Sequence, residues 1–88
     1  MRVGQARKRD GAEMGIRRAL EAVGATVIPI SGKGAPDLFV VYRGQMWGAE
    51  VKTGKGKLTT AQVVTGAGRL WPIWRTPDEA LKTIGATR

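Results

Sequence analysis

Two acids and a lysine, Asp37, Glu50 and Lys52, are the residues best placed to do chemistry. They border two runs rich in β-branched and aromatic residues, Asp37 to Arg43 and Met46 to Thr53, which read as strands separated by Gly44-Gln45. A two-residue connection with Gly first suits a type II′ hairpin. That turn sets Asp37 opposite Lys52 and Phe39 opposite Glu50. Side chains alternate along a strand and cross-strand partners share a face, so Asp37, Glu50 and Lys52 are expected on one side of the sheet and Val51 on the other. Two carboxylates side by side repel, and charged groups on an apolar sheet are costly unless compensated. Lys52 can supply part of the positive charge and a divalent cation the rest. The purely structural alternative is an Asp37–Lys52 ion pair with Glu50 at the solvent edge.

Composition narrows the chemistry. The chain has 88 residues with neither Cys nor His, which removes disulfides, thiolate or imidazole zinc sites, and cysteine or histidine catalysis. A bound metal must be held by oxygen, which favours Mg²⁺ or Mn²⁺. A general acid or base must be Asp, Glu, Lys, Tyr or a metal-bound water. Fifteen Lys+Arg against seven Asp+Glu give a net charge of +8, which points to a polyanionic partner, most often nucleic acid. No run approaches the ~18 apolar residues of a membrane span. The basic start, MRVGQARKRDG, leads into no apolar segment, so a single cytoplasmic domain over 1–88 is expected, with no secretory signal.

The positioning elements follow from periodicity. A first helix is expected from Gln5 to Val23, with Ile16, Leu20 and Val23 on one stripe and Gly24 at its end. At about 100° per residue, Glu13 falls beside that stripe and Glu21 well off it, so Glu13 is the acid aimed at the sheet. It would serve as a third carboxylate over the Asp37/Glu50 face, or simply pair with Arg9 or Arg17 one turn away. Ala25 to Ile30 reads as a strand, and Pro29 restricts it to an edge. The Asp37–Arg43 strand is apolar enough to be covered on both faces. Thr59 and Gln62 fit a capping box opening a second helix, Trp71 to Arg75 reads as a fourth strand, and Thr76-Pro77-Asp78-Glu79 opens a third helix. The order is αβββαβα.

Gly34-Ala35-Pro36-Asp37-Leu38, then Glu50-Val51-Lys52, then Leu58-Thr59-Thr60-Ala61-Gln62 resembles the PD-(D/E)XK nuclease superfamily, and most closely its small VRR-NUC branch, in the stand-alone phage or prophage form. The likeness runs from Glu13 to about Gln62, with Trp71–Trp74 completing the αβββαβ core of a mixed four-stranded sheet flanked by helices. Pro29 is not part of that pattern. The resemblance implies that Asp37 and Glu50 ligate Mg²⁺ or Mn²⁺ with the Val51 carbonyl, that Glu13 reaches the metal directly or through water, and that Lys52 positions or activates the attacking water. It gives Gln62 the task of orienting Lys52, the water or the substrate; capping the helix is the other task open to that residue.

The implied activity is metal-dependent, structure-selective DNA cleavage, as in homodimeric enzymes that resolve Holliday junctions. A flap or nicking nuclease of the same fold and a non-catalytic DNA-binding module are the alternatives. Lys33, Lys55 and Lys57, with the basic segment Arg7, Lys8 and Arg9, could hold flanking phosphates, contacts that position DNA without reading sequence. Tyr42, Trp47, Trp71 and Trp74 are candidates for apolar surface at a dimer contact, or for ordinary core.

Overall fold

The computed structural model describes residues 11–86. Within them the chain folds as α1 (Gly11–Ala22), β1 (Thr26–Pro29), β2 (Leu38–Tyr42), β3 (Gln45–Val51), α2 (Thr60–Thr65), β4 (Ile73–Trp74) and α3 (Pro77–Thr83). The strands form one mixed α/β sheet in the order β1-β2-β3-β4, antiparallel except for β4, which joins parallel to β3.

One face of this sheet carries the core. Leu38 and Val40 of β2, Ala49 and Val51 of β3 and Trp74 of β4 pack against Ile16 and Leu20 of α1, Ala80 of α3 and Ile84 at the C-cap of α3. Trp74 is an anchor of that core: it is 1% exposed, and its indole N–H donates to Thr83 Oγ1 at 2.9 Å. The opposite face is largely open, with Ile28 48% and Met46 65% exposed. The expectation that β2 is covered on both faces is therefore corrected. Its residues alternate between buried and half-buried, because the helices α1 and α3 pack on one side only.

The hairpin also differs from expectation. Its turn is Arg43-Gly44, not Gly44-Gln45, and Tyr42 pairs with Gln45. Both turn residues have positive φ, 50° and 78°, the conformation of a type I′ turn, which matches the right-handed twist of the strands. The register moves by two residues, so Leu38 faces Ala49, and Lys52 is not opposite Asp37. A shift of two keeps every side chain on its face, whereas a shift of one would have reversed them.

Pro29 has a geometric explanation. Strand β1 is an edge, and the next residue, Ile30, donates its N–H to Asp37 O at 2.8 Å. Successive N–H groups of a strand point to opposite edges, so the nitrogen of Pro29 lies on the outer side, where no ladder bond is lost. The two expected caps are both formed. Thr59 with Gln62 and Thr76 with Glu79 make reciprocal capping boxes at α2 and α3, the latter with Pro77 in its first turn.

Candidate active site

Asp37 sits at the entry to β2 and is fixed through three groups. Its N–H donates to Ala49 O at 2.9 Å, its carbonyl accepts from Ile30, and its carboxylate Oδ2 accepts from the backbone N–H of Val51 at 2.9 Å. The last bond defines the site. Glu50 and Lys52 send their N–H groups to β4, to Pro72 O and Trp74 O. Val51, between them, faces the opposite edge, where β2 has ended and the Asp37 carboxylate fills the gap. The N–H and C=O of one strand residue leave from the same edge, so the Val51 carbonyl opens towards the same gap.

Glu50 is fully buried although its neighbours Ala49 and Val51 turn into the helix-covered core. Alternation sends its side chain to the other face, beneath α2, where Gln62 Nε2 donates to its Oε2 at 2.7 Å. The other end of the same amide, Oε1, accepts the Thr59 N–H at 2.8 Å. Of the two tasks considered for Gln62, capping is formed, and the free end of the amide holds Glu50, a partner the sequence did not indicate: the cap fixes which end of the amide meets Glu50. Replacing Gln62 by Glu preserves the acceptor at Thr59 but sets a carboxylate against a buried carboxylate. We expect it to lower thermal stability more than Gln62→Ala, which loses the side-chain bonds to Thr59 and Glu50 but keeps the Thr59 cap on the backbone of residue 62 and adds no second charge. Equal melting temperatures for the two variants would show that the contact with Glu50 is not formed in solution.

The remaining candidates divide. Lys52 follows β3 directly and is half-buried, with Gly56 against its stem; a β-carbon added at Gly56 would lie 3.7 Å from Lys52 Cδ. Glu13 is only 4% exposed on the α1 stripe with Ile16 and Leu20, and Glu21 is exposed, as the helix phase requires. That stripe packs on the Ala49/Val51 face, however, and Asp37 and Glu50 belong to the other. Among the described residues no three acidic side chains gather into a metal-holding group. Lys33, Lys55 and Lys57 are exposed. Arg7, Lys8 and Arg9 lie outside the described residues.

Two contacts that shape the site have no sequence signal, because each joins residues far apart in the chain. Thr65 Oγ1 donates to Gly34 O, clamping the loop that delivers Asp37 onto α2. Gly34 must be glycine there: its φ is 78°, and a β-carbon would come within 3.0 Å of Ala61 O and of Thr65 Cγ2. Arg75 Nη1 donates to Gly54 O at 2.7 Å, tethering the loop that carries Lys55.

The donor set, two carboxylates and a backbone carbonyl at one end of the sheet, consists of hard oxygens and fits Mg²⁺ or Mn²⁺, not zinc. Burial of Glu50 beside Asp37 adds a physical reason for a cation, since two neighbouring anions in a poorly solvated place repel. No family model, curated protein or solved structure matches the chain. Among the described residues, no helix is long and apolar enough to cross a membrane.

Proposed function

We propose that this protein is a Mg²⁺- or Mn²⁺-dependent endodeoxyribonuclease of the PD-(D/E)XK type, similar to the VRR-NUC branch, which hydrolyses phosphodiester bonds in branched DNA such as Holliday junctions. One observation carries the reading: the Asp37 carboxylate bonds the backbone of Val51, next to a Glu50 carboxylate buried and held by Gln62. The element order around this pair is the αβββαβ order of the family it resembles, with α3 added.

In this reading Asp37, Glu50 and the Val51 carbonyl hold the cation, and Glu13 acts through water. When bound, the cation supplies neutralisation of the phosphate and acidification of water. Lys52 brings an ammonium to the same end of the sheet, where it orients the attacking water and offsets charge on the phosphate. Gln62 keeps Glu50 aimed, and its own geometry is set by the α2 cap. Lys33, Lys55 and Lys57 hold flanking phosphates, aided by Arg7, Lys8 and Arg9; the salt dependence of DNA affinity measures their share.

Paired cuts at a junction need two sites, which favours a homodimer. Trp74 is buried in the core and Tyr42 and Trp47 pack against it half-buried, while Trp71 is half-buried outside that cluster, which leaves Trp71 and the open side of Trp47 as the aromatic part of a dimer surface. The large apolar side chains exposed near α2 are Val63, Val64 and Leu70, and light scattering at high salt reports whether they pair.

Divalent-cation titration tests the metal site. The protein is expected to gain thermal stability with Mn²⁺ in proportion to the logarithm of its concentration above Kd, and Asp37→Asn is expected to gain none. Indifference of the unsubstituted protein to Mg²⁺ and Mn²⁺ would remove the metal centre.

A further inference from the structure

We infer that a recess beside Asp37 receives one unpaired nucleotide of the DNA strand being cut, so that the fold itself selects for locally single-stranded DNA. The ligand class rests on the nuclease reading; the recess does not. It has a volume of about 450 Å³ and lies between the Gly32–Gly34 loop and the first turn of α2, with Lys33, Asp37, Thr60 and Ala61 among its walls. That size falls among pockets for single small molecules, roughly 300–1,000 Å³. It admits one nucleotide, and a stacked base pair with two backbones does not enter it.

The recess is preformed. The Thr65 hydroxyl bonds the Gly34 carbonyl and joins the two walls, and they lie so close that a β-carbon added at Gly34 would come 3.0 Å from Ala61 O and Thr65 Cγ2. Its chemistry suits a nucleotide: an exposed ammonium at Lys33, the Thr60 hydroxyl, and the backbone of two glycines that permit close approach. No aromatic ring lines it, so a base held there is contacted at its edge and is not stacked.

Its position gives the selectivity. Asp37 both lines the recess and reaches Val51 at the proposed metal site. A strand with its phosphate at Asp37 and Glu50 therefore places an adjoining nucleotide at the opening. In continuous duplex that nucleotide must first unpair and unstack, at a cost of a few kcal/mol; at a branch point or a splayed end it is already free.

The test uses the whole chain in EDTA, so that nothing is cleaved. Backbone amide resonances of Gly32, Lys33, Gly34, Thr60 and Ala61 are followed while thymidine 5′-monophosphate, inorganic phosphate, a short single strand and a blunt duplex are added separately. The mononucleotide and the single strand are expected to shift these amides saturably, and phosphate and duplex to leave them in place. Thr60→Trp, which fills the recess, is expected to abolish the shifts and, in Mn²⁺, to slow cutting of splayed DNA by about tenfold or more. Met46→Trp puts the same ring on an exposed position outside the recess and is expected to do neither. Equal shifts with inorganic phosphate, equal shifts with duplex, or retention of mononucleotide binding by a folded Thr60→Trp would each overturn the inference. Recess binding without cleavage of any DNA in Mn²⁺ would support the recess while removing the nuclease reading.

Discussion

Glu50→Gln is expected to abolish DNA cleavage while leaving the metal-free protein as stable as before, or more so. The side chain is fully buried and bonded to Gln62, and Gln at this position has the same shape and still offers a carbonyl to the Gln62 amide. Packing is thus preserved. The change removes one of two neighbouring negative charges, which relieves repulsion in the absence of a cation and removes half of the carboxylate pair that would hold one. Loss of several kcal/mol of charge stabilisation in the transition state corresponds to roughly a 10³-fold or larger fall in rate. Thermal melting in EDTA and cleavage in Mn²⁺ read the two effects separately. A Glu50 that served only structure would give the opposite pattern, destabilised by the substitution and unchanged in activity per folded molecule.

The largest effect on stability is expected at Trp74. This residue is enclosed by the α1–α3 layer and the sheet, and Trp74→Ala leaves a cavity that so small a core cannot close. Such truncations cost about 3–5 kcal/mol, a large share of the ~5–15 kcal/mol that typically separates folded from unfolded domains. The variant should be largely unfolded or marginal at room temperature. Trp74→Phe keeps most of the volume and loses the bond to Thr83; Thr83 Oγ1 still donates to Glu79 O, so that variant should lose about 1 kcal/mol. Urea unfolding followed through Trp47 and Trp71 checks both. A midpoint for Trp74→Ala within ~0.5 M of the unsubstituted protein would show that the tryptophan is not enclosed.

Local rules made much of the fold legible, and long-range packing hid the rest. The caps at Thr59 and Thr76 were readable because a capping box is a four-residue pattern whose hydrogen bonds are internal to it. The faces of Asp37 and Glu50 were readable because alternation along a strand survives an error of two residues in register. The turn itself was not, since Arg43 with positive φ is a choice that Gly44 makes easy to misplace by one position. One-sided burial of β2 was not readable either: its apolar run reflects packing against α1 and α3 on one face, while Phe39 and Val41 on the other remain half-buried. Glu13 was correctly assigned to the buried stripe of α1, but helix phase alone does not say which face of the sheet that helix will cover. The clamp from Thr65 to Gly34 and the tether from Arg75 to Gly54 join residues 31 and 21 positions apart, and nothing local marks either.

The proposed metal-dependent nuclease centre at the Asp37/Glu50 end of the sheet is tested by incubating the protein with end-labelled duplex, flap, splayed and four-way junction DNA of one sequence, in Mn²⁺ and in EDTA. The predicted result is cleavage in Mn²⁺ only, with branched substrates cut ahead of continuous duplex. Intact DNA in every Mn²⁺ reaction, or cleavage that persists in EDTA, would contradict it.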